Sequence, residues 1–165
     1  MGKCLKLRAA DEEDISVISA CMQDALVACN DLSFLPGEQR FVLVGQRFKW
    51  ENCPEFLRPD LAGPEYANAD PCENYERVNA ILVFDHVTGA RLFDLDTTQD
   101  ANILELLAIA VEPREEGEDG ASVILFFAGG GAIRLEVQRI LCHLEDLGDS
   151  WPTKNRPIHP VEESA

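Results

Sequence analysis

Short apolar or alternating runs, each closed by turn-forming residues, recur along this chain and restrict it to largely antiparallel β-structure. Residues 26–29, 32–35 and 41–50 are separated by Asn30-Asp31 and Pro36-Gly37, pairs that favour tight turns over continued strands. In the third run Phe48 and Trp50 fall on one face and Arg47 and Lys49 on the other. Residues 78–86 and 91–95 are expected to form a hairpin around Thr88-Gly89. Residues 103–111 and 122–127 are expected to pair across the acidic turn 113–120. Gly129-Gly130-Gly131 then leads into Ile133-Arg134-Leu135-Glu136-Val137, which alternates cleanly.

Helical spacing occurs at the two ends. Asp11 is a suitable N-cap, followed by Glu12, Glu13 and Asp14 in the first turn, where negative charge suits the helix dipole. Ile15, Ile18, Met22 and Ala25 continue at steps of three and four, and that helix should end near Asp24 or Ala25. Ile140, Leu144 and Leu147, closed by Gly148, give the expectation of a short C-terminal helix. The fold class expected is therefore α+β. It comprises an N-terminal helix, about seven mostly antiparallel strands in a curved sheet or partly closed barrel, and a closing helix. That order of elements resembles a pleckstrin-homology-like barrel.

The stretch 51–76 contains Pro54, Pro59, Pro64 and Pro71 and no periodicity, so it is expected to be a long loop. Loops of that length inside a domain are usually lids, binding loops or disordered segments. The expected organisation is one domain over 1–148 with a flexible tail at 149–165. A chain of 165 residues with 46% hydrophobic content is large enough to bury a core without staples. No apolar run approaches the roughly 18 residues of a membrane span, and Met1-Gly2-Lys3-Cys4 opens no signal peptide. A cytoplasmic protein without membrane attachment is the expectation. Its six cysteines are then read as thiols, with no C-x-x-C motif among them.

Thirty acidic residues face 14 basic ones, which excludes a nucleic-acid partner on electrostatic grounds and suits a protein partner with a basic surface. The same charge also serves plain solubility.

Residues 5–14 (LKLRAADEED), Arg47-Phe48-Lys49-Trp50-Glu51, 127–137 (FAGGGAIRLEV) and 144–148 (LEDLG) with Trp151 behind them resemble a family of small proteobacterial proteins. That family is catalogued only as a domain of unknown function. The resemblance spans nearly the whole chain except 53–72 and the last residues. It implies a bacterial cytosolic protein and supplies no catalytic residues.

Three constellations have chemical potential. Asp94, Asp96, Thr98, Asp100, Asn102 and Glu105 match the ligand spacing of a twelve-residue calcium loop. Gln99 stands where such a loop needs glycine, however, and the flanks read as strands, so a polar strand connection is the competing reading. Gly129, Gly130 and Gly131 present backbone N–H groups to an anion, against the simpler reading of a hairpin turn. Arg47 and Lys49, with Arg77 beyond the long loop, form a cationic face able to hold an anionic ligand. The alternative is a solvated strand face paired with nearby carboxylates. Asp85-His86 and Cys142-His143 are sequence neighbours whose side chains diverge, so neither makes a catalytic pair, and no catalytic residue is assigned. The functions expected are thus a non-catalytic protein-binding or adaptor module or, as alternatives, a sensor or enzyme for a small anion under the 51–76 loop, or a calcium-binding protein. No prosthetic cofactor is expected.

Overall fold

The computed structural model describes residues 4–52, 75–95, 102–115 and 119–153. The chain begins with strand β1 (Lys6–Ala9) and helix α1 (Glu12–Met22). Asp11 caps the helix, its carboxylate accepting the Asp14 amide at 2.8 Å, while the Asp14 carboxylate accepts from Ala10. Ile15, Ile18, Cys21 and Met22 face the core. The helix stops at Met22, two or three residues sooner than its apolar spacing suggests, because Asp24 adopts a left-handed φ of 66°. Ala25 already belongs to the next strand.

Nine further strands follow: β2 (Ala25–Ala28), β3 (Leu32–Leu35), β4 (Arg40–Phe48), β5 (Glu76–Phe84), β6 (Val87–Phe93), β7 (Ile103–Pro113), β8 (Ala121–Phe127), β9 (Ala132–Val137) and β10 (Cys142–Pro152). Among the described residues all ten join one antiparallel sheet, in the order β1-β10-β5-β4-β2-β7-β8-β9-β6, with β3 on the edge of β4. The sheet curls without closing. Leu43, Leu82 and Leu144 from one half meet Leu106, Leu125 and Leu135 from the other in a single core, which α1 also enters. Fully burying each such side chain stabilises by about 1.5–3 kcal/mol. The Ser19 hydroxyl accepts the Ile109 amide at 2.8 Å and stitches α1 to β7.

The α+β class and the mostly antiparallel sheet agree with the sequence, but three particulars differ. Ten strands form among the described residues, where about seven are expected from the sequence.

Among the described residues the closing element is β10, and residues 140–147 form no helix, which also removes the likeness to a pleckstrin-homology barrel. Cys142, Leu144 and Asp146 alternate inward along β10 at a period of two. The third inward residue is a carboxylate, which breaks the apolar alternation and leaves the i, i+4, i+7 spacing of Ile140, Leu144 and Leu147 as the louder signal. β10 continues to Pro152, so the sheet takes in residues that the sequence reading places at the start of the tail.

Lastly, β5 and β6 are no hairpin. Thr88 and Gly89 lie inside β6, which pairs with β9 through a bulge between Val87 and Gly89. The chain turns a corner at Asp85-His86, where His86 has φ 60°. Backbone bonds from Asp85 to Leu141, Val87 to Gln39 and Gln138 to His86 pin that corner and send β6 to the far end of the sheet.

Candidate functional site: a buried ion cluster beside an open cleft

On β4, β5 and β10 the inward residues form rows: Phe41, Phe84 and Cys142, then Leu43, Leu82 and Leu144, then Gly45, Ala80 and Asp146. Arg47 is the next inward residue of β4 and is fully buried. A guanidinium stays charged at any ordinary pH, so burying it demands carboxylates within reach. Asp146 supplies the first. Arg47 Nε donates to its Oδ1 at 2.7 Å and Nη2 donates to its Oδ2 at 2.8 Å, a two-point fork. Oδ2 accepts the Leu5 amide as well, at 3.0 Å, which ties the pair to the residue just before β1. Glu51 supplies the second, from a 3-10 turn (Trp50–Asn52) one helical step beyond the arginine. Arg47 Nη1 donates to both its oxygens, at 3.0 and 2.9 Å. Burial alone would lower the arginine pKa, but the bonds to Asp146 and Glu51 outweigh it and raise it further.

Lys49 is also buried. Its Nζ lies 3.4 Å from Glu76 Oε2. The same oxygen accepts from the Ser150 hydroxyl at 3.0 Å and from Asn52 Nδ2 at 3.3 Å. These groups, the Ser150 hydroxyl foremost, hold the Glu76 carboxyl below its ordinary pKa against a smaller opposing push from burial. Arg47, Glu51, Lys49, Asn52 and Glu76 line one side of an open cleft of about 510 Å³, and Cys4, Leu5 and Lys6 line the other.

The sequence-derived cationic face is therefore divided. Arg47 and Lys49 come together at the cleft and are paired with carboxylates, but buried where a solvated face was the alternative reading. Arg77 pairs in register with Phe48 and sits on the opposite side of the sheet. Its guanidinium lies 5.8 Å above the Phe48 ring and donates to the Gln46 carbonyl at 3.0 Å. Burial lowers its pKa, opposed by the charges of Asp24 and Glu105. Phe48, Trp50 and Tyr75 form a separate aromatic cluster there.

Gly129, Gly130 and Gly131 make the β8–β9 turn. Gly129 and Gly130 take φ of 90° and 95°, and the Phe127 amide donates to the Gly131 carbonyl. The Gly130 amide points back to the Phe127 carbonyl, and the glycines feed a strand, not a helix. Of the calcium-loop pattern, Asp96, Thr98 and Asp100 lie outside the described residues. Asp94 follows β6 with φ 52°, and Glu105 belongs to β7 opposite Leu26. The Asn102 carbonyl accepts the Cys29 amide. No cluster of three or more His, Cys, Asp or Glu side chains suited to a metal occurs among the described residues.

Cys142 and His143 alternate along β10, the thiol inward and the imidazole outward near Asp85, with Nδ1 3.6 Å from Oδ2. Burial pushes the Cys142 thiol far above its ordinary pKa, and burial likewise raises that of Cys21. A protonated, buried thiol is a poor nucleophile. Sequence reasoning missed Asp146, Glu51 and Glu76. Only Glu51 left a usable mark, four residues after Arg47.

The fold and site together define a class: an α+β protein whose curled antiparallel sheet buries a charged arginine–carboxylate cluster at the edge of an open cleft. The chain belongs to the DUF2948 family of proteins of unknown function, whose model matches residues 5–159, in keeping with the resemblance read from the sequence. No curated protein and no solved structure matches it. No helix among the described residues is long and apolar enough to cross a membrane.

Proposed function

We propose that this chain is a binding module that takes up a small anionic ligand in the cleft beside Arg47. The reading rests on one observation: a fully buried arginine gives one face to a fixed carboxylate, Asp146, and the other to a carboxylate at the cleft. Lys49 and Lys6 add positive charge to walls that also carry Glu51 and Glu76. A cleft of about 510 Å³ falls in the range of small-molecule sites. The test is a thermal-shift screen of small carboxylates, phosphates and sulfates. A ligand that binds only the folded state at about 100 times its Kd adds roughly 2.7 kcal/mol of stability. One chemical class should raise Tm by several degrees, and Lys6→Gln with Lys49→Gln should weaken the effect. A screen in which no compound moves Tm contradicts the reading.

A second reading, an adaptor for a protein with a basic surface, draws on another part of the sheet. Phe93, Ala132 and Phe126 lie in one row across β6, β9 and β8, and the two phenylalanines are 46% and 42% exposed. Exposed aromatic pairs of this kind are common in protein interfaces. A tagged pull-down at low and high salt, compared with a Phe93→Ser, Phe126→Ser variant, decides it. A near-stoichiometric partner lost in the variant and at high salt supports the adaptor, and recovery of none removes it.

A further inference from the structure

Resting on the cleft reading above, we infer that Glu51 already occupies the anion position, as a tethered carboxylate that an incoming carboxylate ligand must displace from Arg47. The two carboxylates on Arg47 are unequal. Asp146 belongs to β10, a strand paired on both sides, has a side chain only 2% exposed, and is bonded to Leu5 besides Arg47. It alone balances the guanidinium charge. Glu51 places a second carboxylate on the same guanidinium. Its side chain is 29% exposed and it stands on a three-residue turn at the cleft. Glu51 is therefore the exchangeable partner and Asp146 the permanent one.

Geometry names the ligand class. Both Glu51 oxygens lie within 3.0 Å of one nitrogen, Arg47 Nη1, so the position accepts the two oxygens of a carboxylate. Lys49 lines the same wall, and its 3.4 Å contact with Glu76 is longer than a well-formed charged hydrogen bond. A small dicarboxylate whose first carboxylate replaces Glu51 can place its second group towards Lys49. Displacement has a local reporter. Trp50 precedes Glu51 on the same turn, its indole donates to the Gln23 carbonyl at 2.7 Å, and its ring meets Phe48 edge-on at 4.7 Å. Moving the turn changes that environment.

A tethered competitor lowers apparent affinity by the fraction of time it leaves the site free. Glu51→Gln keeps the size and removes the charge, so it should tighten binding by about tenfold or more if Glu51 is displaced a tenth of the time or less. The measurement is calorimetric titration of wild type, Glu51→Gln and Glu51→Ala with succinate, glutarate and inorganic phosphate. Tryptophan fluorescence is followed in a Trp151→Phe background. The expected result is dicarboxylate binding at least about tenfold tighter in both variants, with a Trp50 change on titrating the parent. Equal affinity in parent and variants, with the probe still sensitive to Lys49→Gln, overturns the displacement and leaves the cleft reading standing. Tightening for phosphate alone overturns the carboxylate class. No binding of any probe to folded parent and variants removes the cleft reading itself. Glu51→Ala guards against a folding defect peculiar to the glutamine.

Discussion

Replacing Asp146 by asparagine tests the ion cluster where it is most constrained. The substitution keeps shape but withdraws the charge that faces Arg47 through two bonds, and in either orientation it turns an amide NH2 towards one of the arginine's donors, and in one of them towards the Leu5 amide as well. Removing one partner of a buried ion pair costs about 3–5 kcal/mol, because the other charge remains out of water. Glu51 still shares Arg47, which places the loss at the lower end, about 3 kcal/mol. Against a total stability of roughly 5–15 kcal/mol this is a large fraction. For a chain of this size it corresponds to a fall in Tm of about 6–12 °C. Urea unfolding of wild type and Asp146→Asn gives the number directly, provided the m-value is unchanged. A matched variant, Arg47→Met with Asp146→Leu, removes both charges and should lie within about 1–2 kcal/mol of wild type. The contrast between single and double substitution is the signature of a buried pair. A loss below about 1 kcal/mol in Asp146→Asn would refute the reasoning, since a solvated pair behaves that way.

Three other outcomes follow from the structure. In alkylation of the native protein followed by mass spectrometry, exposed Cys4 should label fast, while Cys142 and Cys21 stay protected until unfolding; equal rates for Cys4 and Cys142 would contradict their burial. Glu76 and Glu136 both titrate below their ordinary value of 4.5 in the folded chain. For Glu136, burial pushes upward but is outweighed by hydrogen bonds from Arg134, Ser122 and Arg114. Their stabilisation is complete above that value and is lost as pH falls through the folded pKa, so Glu76→Gln and Glu136→Gln should each flatten the loss of stability below pH 4.5 in urea melts. Gly120 has φ 97°, and a Cβ there would collide with the Val137 carbonyl. Gly120→Ala should therefore cost about 1–3 kcal/mol in the same assay, and a neutral result would place the β7–β8 connection elsewhere.

Much of the sheet is legible in the sequence because its strands bury one face and show period-two patterning. The run 133–137 and the stretch 41–48 each locate a strand, and Asp11 with its acidic followers locates α1. Legibility fails where an inward position is charged. Asp146 interrupts the pattern of β10, and nothing local explains it, since its partner lies 99 residues away in sequence. Pairing order is also hidden: β6 follows β5 by two residues yet joins β9, because the corner at His86 depends on backbone bonds to Gln39, Leu141 and Gln138. The cationic strand face is legible as Arg47 and Lys49, but its carboxylates are not, and Arg77 cannot be separated from it because strand parity across two paired strands cannot be read from either one alone.

The cleft is tested most directly by amide NMR of ¹⁵N-labelled protein titrated with small dicarboxylates and phosphate. The account predicts perturbations concentrated at Leu5, Lys6, Lys49, Glu51, Asn52 and Glu76, saturating with ligand and weakened by Lys49→Gln. Spectra unmoved by every anion, or shifts centred on Phe93 and Phe126 on the far part of the sheet, would contradict it.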